Sequence, residues 1–429
     1  MMKIITRDKW LMVIAAMGVV LYMGFTGYVV LNDKSMDYYV YLVSAHALVN
    51  GENVYTMPAS AYERIAEQLG VVTHTGPYLY PTFTALLLIP LTYLPLRLGA
   101  AIWICLGGLA VLMSALILCS FTTEKRKQRT ILATTIVFFP VLTSMNLGQV
   151  NPFVLLMTVL TLYCFRRNLN LLGGVIFSLG ILLKPFAMAL IPLMIWRRRW
   201  KTLGGFLLGF LAINLLSMLM FGVSATTSQF MPIVNIGTHA GLNVGLAIQN
   251  LNGCVGRFTT GISEPVGLII YFLTAGLIGG ITVGAILRKP DDHRFEIEFV
   301  LLLVATHLIA PLTWYHHLTM LVMVWAIVIV YWNYSEFNKL VILLLTALSF
   351  TNIHGLFWKQ LANLHPILSN FPVLMMLLLW YLTLVMVSRN RDLEVNYHPM
   401  VRIPAQAATR FRLIPPWESD PFRHPLGRG

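Results

Sequence analysis

Leu11-Met-Val-Ile-Ala-Ala-Met-Gly-Val-Val-Leu-Tyr-Met-Gly-Phe-Thr-Gly-Tyr-Val-Val-Leu31 is a membrane-length apolar run, followed at once by Asn32-Asp-Lys-Ser-Met-Asp37-Tyr-Tyr-Val-Tyr41. The run lacks charge, is too long for a signal-peptide core and has no convincing small-residue cleavage site, so it reads as a retained transmembrane anchor. Similar runs recur to residue 388, and the chain is 57% hydrophobic and 11% charged, where a soluble domain carries about 25% charged residues. Backbone polar groups in lipid must be satisfied within a segment or a closed barrel, and these runs are too long and too continuously apolar for barrel strands. The fold class is therefore all-α and polytopic.

The net charge of +13 is spread in short clusters between the runs, at Lys125-Arg-Lys127, Arg166-Arg167, Arg197-Arg-Arg199 and Arg288-Lys289. That is the positive-inside pattern of a membrane protein, and it argues against nucleic acid as a partner. Cys105, Cys119, Cys164 and Cys254 have no paired spacing, so neither a disulfide framework nor a zinc site is indicated.

With the basic clusters on the cytoplasmic side, the segments alternate. Spans are expected near 10–31, 97–121, 130–146, 150–165, 202–221, 265–287, 296–310, 315–332, 338–356 and 371–388. The first far-side loop, 32–80, holds two helical stretches, 36–49 and 58–69, expected to lie on the membrane surface. Pro90 and Pro95 break the apolar stretch that follows into a dipping element and a full span. Residues 169–196 are basic at both ends and interrupted by Lys184-Pro185, which reads as a hairpin of two short helices lining a cavity. The total is about twelve elements with both termini cytoplasmic and a large far-side loop at 222–264. Residues 1–388 form one membrane domain, and the tail 389–429, with six prolines and a charge of +3, reads as disordered.

Polar residues converge on the far side. Asp37 reads either as a helix cap or as a catalytic carboxylate. Lys184, within an apolar run, either binds an anion or snorkels. Trp314-Tyr-His316-His317 is either an interfacial aromatic belt or a phosphate and sugar contact, since adjacent histidines on a helix point about 100° apart and rarely chelate one ion. Gly148-Gln149-Val-Asn151, Gln249-Asn250 with Arg257, and Tyr78-Leu-Tyr80-Pro81 lie on the same face.

These motifs, in this order, resemble those of the GT-C-type membrane glycosyltransferases of family 87, which include polyprenyl-phosphate-mannose-dependent α-mannosyltransferases. Asp37 and Tyr41 with Ala47-Leu-Val-Asn-Gly-Glu-Asn-Val-Tyr55 are similar to the family's first-loop pattern, and Tyr80-Pro-Thr-Phe83 to its Tyr-Pro-Pro-Phe segment. Gly148-Gln-Val-Asn151, Gly180-Ile-Leu-Leu-Lys184-Pro185, Gln249-Asn-Leu-Asn-Gly253 to Arg257, and Ala310-Pro-Leu-Thr-Trp314-Tyr-His316-His317 complete the series. The chain departs from the family at Thr82, at the inverted Gln249-Asn250 pair, and at Ala310 and Thr313, where serines are usual.

The resemblance implies a GT-C fold and an inverting transfer of a sugar from a polyprenyl-phosphate donor to a hydroxyl of a glycolipid or polysaccharide. It implies Asp37 as general base, and Lys184, His316, His317 and Arg257 as contacts to the donor phosphate. Tyr41, Tyr80, Gln149, Asn151, Gln249, Asn250 and Trp314 are then expected to hold sugar or acceptor, with no metal and no cofactor. The implied setting is the bacterial inner membrane, with the site facing the periplasm. Mannose is the expected sugar, with arabinose, glucose and galactose as alternatives. A lipid or polysaccharide flippase without chemistry is the competing class.

Overall fold

The computed structural model describes residues 8–71, 78–238, 241–288, 295–331 and 369–389, all within one unit, Met1–Arg389. The expected span at 338–356 and the tail beyond Arg389 lie outside the described residues.

The described elements are helical. Helix α1 (Lys9–Leu31) is followed by α2 (Met36–Val49), α3 (Ala59–Gln68) and α4 (Thr82–Leu88). A 3-10 turn, Ile89–Tyr93, leads into α5 (Leu96–Cys119), which Pro95 starts in extended geometry. Then come α6 (Lys125–Val137), α7 (Phe139–Leu147), α8 (Asn151–Arg166) and α9 (Asn170–Leu183). A second 3-10 turn, Pro185–Ala189, precedes α10 (Leu190–Trp196), α11 (Trp200–Ser228), α12 (Met231–Thr238), α13 (Leu251–Phe258) and α14 (Glu264–Leu287). The series closes with α15 (Phe295–Ile309), a third 3-10 turn (Tyr315–Met320), α16 (Leu321–Tyr331) and α17 (Phe371–Arg389).

Among the described residues, five helices (α1, α5, α11, α14 and most of α17) are long and apolar enough to cross a membrane. The pair α6–α7 is long and apolar enough when taken together but bends by 41°, as a broken span or a re-entrant loop does, and the bend falls where Pro140 enters the second position of α7. Helices α8, α9, α16 and the 185–196 piece are shorter and apolar. The chain is thus a multi-pass membrane protein. Inner and outer helices differ in exposure: the apolar window of α5 is 67% buried, while those of α11 and α14 are 22% buried and present leucine, isoleucine and valine outward, as a lipid-facing helix does.

The helices run between two chemically distinct ends. At one end, the Asp8 carboxylate caps α1 through the Trp10 amide (3.1 Å) and pairs with Arg129 of α6 (2.9 Å). Arg166, at the end of α8, pairs with Glu296 of α15, donates to the carbonyl of Phe121 (3.1 Å) and to the hydroxyl of Tyr331 (2.9 Å). Arg197, after α10, pairs with Glu298, and both side chains are buried. Glu296 and Glu298 also sit in the first turn of α15, where the helix dipole favours negative charge. The basic clusters read above as topology signals thus also clamp one helix from two sides.

Contact between α9 and α11 depends on glycine. A Cβ on Gly174 would run into the Thr202 carbonyl, and one on Gly205 into that of Leu171. Small residues let the two backbones touch, the usual way membrane helices gain packing without a hydrophobic drive.

Two expectations for the loops change. Helix α3 has the expected polar face, but α2 does not lie on a surface: Tyr38 to Ala45, Ala47 and Leu48 are all buried. Its tyrosines and valines have no period-3.6 polar stripe, so neighbouring elements enclose it on several sides. The stretch 222–264 is also not one long loop. A left-handed Gly222 (φ 82°) kinks α11, which continues to Ser228, and α12 and α13 follow.

Candidate active site

The end opposite the Arg129, Arg166 and Arg197 ion pairs gathers the polar residues. Helix α2 begins after Ser35, and Asp37 lies in its first turn. Its carboxylate points into the protein, where Oδ2 accepts from Gln149 Nε2 at 2.7 Å. One turn on, Tyr41 donates its hydroxyl to Gln149 Oε1 at 3.0 Å, so both residues of one helical face meet the same carboxamide.

Gln149 is presented by a tight turn between α7 and α8. Gly148 ends α7 in the left-handed conformation (φ 66°, ψ 34°), which favours glycine, and a Cβ there would sit 2.7 Å from the Tyr38 Cβ. The Gly148 carbonyl accepts from the Trp103 indole at 2.8 Å, which fixes the turn. Tyr80 completes the cluster. Its hydroxyl is 3.2 Å from Gln149 Nε2 and its ring packs edge-on against Tyr41 at 4.7 Å.

Lys184 approaches Gln149 from the other side. The following proline disfavours helical geometry at Lys184, which is extended (φ −160°, ψ 124°) between α9 and the 3-10 turn. Its ammonium is buried, donates to Asn151 Oδ1 at 3.0 Å and reaches Gln149 Oε1 at 3.5 Å, the outer limit of a hydrogen bond. It also lies 5.4 Å from the Tyr80 ring centroid. Gln149 therefore bridges a carboxylate and an ammonium that, among the described residues, form no direct ion pair with each other.

Electrostatics follow from this placement. Burial pushes the Asp37 carboxyl up from the usual carboxylate range, and the Gln149 hydrogen bond and the Lys184 charge pull it partly back. A carboxylate so placed is a stronger base than one in water.

The histidine pair stands behind Asn151. Asn151 Nδ2 donates to the His316 carbonyl at 3.0 Å, as does the Ser144 hydroxyl at 2.9 Å. The imidazoles of His316 and His317 are 4.6 Å apart and nearly perpendicular, Trp314 stacks near His316 at 6.0 Å, and His317 Nδ1 accepts from the Trp314 amide at 3.2 Å. Among the described residues no three His, Cys, Asp or Glu side chains converge as a metal site would require.

Gln249, Asn250 and Arg257 hydrogen-bond within the segment around Trp314 and its neighbours. Ile248 pairs with Trp314 as an isolated antiparallel bridge, with Gln249 N donating to the Thr313 carbonyl at 2.7 Å. Gln249 Nε2 donates to the Leu246 carbonyl at 2.7 Å. Asn250 caps α13 through the Gly253 amide (2.8 Å) and donates to the Ala310 carbonyl at 2.6 Å. Arg257 holds Asn370 Oδ1 at 2.6 Å and the carbonyls of Gly245 and Ile248, each at 2.9 Å. These three brace the segment that carries Trp314 and the histidines, because buried backbone carbonyls there need donors.

His307 was not anticipated. It is buried in α15, donates from Nδ1 to the Leu303 carbonyl (2.8 Å), and stacks on Phe186 at 5.0 Å, which in turn packs edge-on against His317 at 4.7 Å. A histidine inside an apolar run was its only signal in the sequence. Asp33, by contrast, pairs with Arg97 on the exposed surface at 3.1 Å.

The molecule is a helical membrane protein in which a half-buried carboxylate is joined through a carboxamide to a buried ammonium. The comparison with known proteins gives the class its name. The sequence model of glycosyltransferase family 87 matches residues 78–357, and the chain belongs to that family and is a glycosyltransferase. The match takes in Tyr80, Gln149, Asn151, Lys184 and the histidine pair and starts after Asp37. No curated protein and no solved structure matches the chain.

Proposed function

We propose that the protein moves mannose from a polyprenyl-phosphate donor to a hydroxyl of a glycolipid or polysaccharide, with inversion, at the extracytoplasmic face of a bacterial inner membrane. The observation that carries this reading is the Asp37–Gln149–Lys184 relay. Asp37 takes the proton of the acceptor hydroxyl as oxygen attacks the anomeric carbon, a step in which a positioned base contributes about 10² to 10⁴-fold. The bond from anomeric carbon to phosphate oxygen breaks, and the electron pair leaves with the lipid phosphate.

Lys184 and the His316–His317 pair serve the departing anion, and donors aimed at developing charge are often the largest catalytic term. Arg257 supports the phosphate end through the segment it braces. Tyr41, Tyr80, Gln149 and Asn151 orient sugar hydroxyls, and Trp314, the exposed ring of the cluster, is the platform for a sugar face. A retaining route normally needs a second carboxylate about 5 Å from the first. Asp33, the nearest other acid in the sequence, is instead engaged by Arg97 at the surface, which favours inversion.

The test compares wild type with Asp37→Asn, using labelled polyprenyl-phosphate mannose and a lipid extract as acceptor source. Transfer by wild type and none by a folded variant is the expected result. Equal activity in the two removes Asp37 as the base. Translocation of lipid with the sugar–phosphate bond intact points to the flippase class.

A further inference from the structure

Arg197, Arg198 and Arg199, consecutive in the turn between α10 and α11, have three different settings. Arg197 pairs with the buried Glu298, and Arg199 lies over the Phe295 ring at 4.8 Å. Arg198 alone of the three is exposed, and its backbone is left-handed (φ 52°). The turn is closed by Arg198 N to the Ile195 carbonyl (3.0 Å) and Arg199 N to the Met194 carbonyl (2.9 Å), a closure that usually takes glycine at the left-handed position. The turn after α8 has the same two bonds, from Asn168 N to the Phe165 carbonyl (3.1 Å) and Leu169 N to the Cys164 carbonyl (2.9 Å). There the left-handed residue is Asn168 (φ 58°), a type that tolerates the conformation. Arg198 is the bulky exception, and strained residues of this kind cluster at ligand clamps and switch regions.

The two turns stand side by side, because the glycine contacts at Gly174 and Gly205 bring the first turns of α9 and α11 together. Exposed side chains of two kinds surround them. Arg167, Arg198 and Lys201 supply positive charge. Trp196 (51% exposed), Trp200 (61%) and Leu171 (54%) supply apolar surface. An indole, apolar with one N–H, suits the headgroup level of a bilayer, and cations at that level meet lipid phosphates. Glu298 is taken by Arg197 and Glu296 by Arg166, so these acids leave the patch positive.

We infer that this patch binds an anionic phospholipid, its phosphate held by Arg198 and Lys201 and its glycerol and upper chains set against Trp196, Trp200 and Leu171. A soluble phosphate gains nothing from two exposed indoles and a leucine, which favours a lipid as the occupant. The patch lies at the ion-pair end of the helices, away from the Asp37 relay, so the bound lipid is a structural partner and takes no part in transfer. It bridges the turns that flank α9 and α10, and thereby steadies the hairpin that carries Lys184.

The test uses the full chain in nanodiscs of phosphatidylcholine, alone or mixed with phosphatidylglycerol. Retained lipid is counted by native mass spectrometry, and stability is read as the melting temperature. Wild type is expected to retain phosphatidylglycerol in preference to phosphatidylcholine and to melt higher when it is present. Arg198→Gly removes the cation and relieves the left-handed backbone, so the variant keeps its fold. It is expected to lose about fivefold of the preference, and the pair Arg198→Gly with Lys201→Gln about thirtyfold. Arg198→Lys, which restores the charge, keeps most of it. Inorganic phosphate added to phosphatidylcholine discs is expected to leave the melting temperature unchanged. No preference in wild type, an undiminished preference in the folded double variant, or a loss in Arg198→Lys as large as in Arg198→Gly overturns the inference. So does a rise in melting temperature reproduced by inorganic phosphate alone.

Discussion

Replacing Gln149 with leucine isolates the bridge from the groups it joins. The side chain keeps its branched end one bond closer to the backbone and loses both polar atoms. Asp37 Oδ2 then lacks the 2.7 Å hydrogen bond from Nε2, and Tyr41 and Lys184 lose their shared acceptor, Oε1. A hydrogen bond to a charged group contributes about 1.5–3 kcal/mol, which is roughly ten- to a hundredfold in an equilibrium or rate constant. Because Gln149 favours the ionised carboxylate over the protonated one, its loss moves Asp37 further up from its already raised position. A base must be ionised to act, so activity falls as pH drops through the carboxyl's pKa.

In Gln149→Leu that acid limb moves to higher pH. At pH values on the limb, kcat/KM is expected to fall by about ten- to a hundredfold, with part of the loss recovered on the alkaline side. The assay is the pH profile of kcat/KM for wild type and variant, with monodispersity in detergent confirming the fold. An acid limb that stays in place or moves to lower pH in a folded variant would refute the relay.

The other expectations test the leaving-group side and the scaffold. Lys184→Met removes the buried cation next to Asn151 and is expected to lower kcat by about 10² to 10³-fold, read in single-turnover cleavage of the donor. Retained cleavage would move the phosphate elsewhere. Glu298→Gln leaves the buried Arg197 guanidinium without its carboxylate partner and is expected to cost about 3–5 kcal/mol, seen as a lower melting temperature, while a protein as stable as wild type would reduce that pair to a bystander.

Much of this fold is legible in the chain because lipid imposes a severe rule: backbone groups must be satisfied locally. Runs such as 11–31 and 97–118 therefore read as helices before any packing is known. Local backbone chemistry is legible for the same reason. Pro185 predicts the break at Lys184, and Gly148 permits the turn that presents Gln149. The candidate residues Asp37, Tyr41, Tyr80, Gln149, Asn151 and Lys184 stood out as polar or aromatic side chains at the edges of apolar runs.

Where those side chains point was not legible. Asp37 reads equally well as a cap, and only the approach of a turn more than a hundred residues away turns its carboxylate toward Gln149. Nor does the chain reveal that donors of Arg257, Gln249 and Asn250 meet the carbonyls of Gly245, Leu246 and Ala310. Glu296 and Glu298 look like the polar start of a span until Arg166 and Arg197 arrive from other helices. The sequence by itself determined the helices, their breaks and the inventory of polar groups, because these depend on bonds within a few residues. Tertiary structure alone decided which carboxylate faces which cation, since that depends on helix packing between segments far apart in the chain.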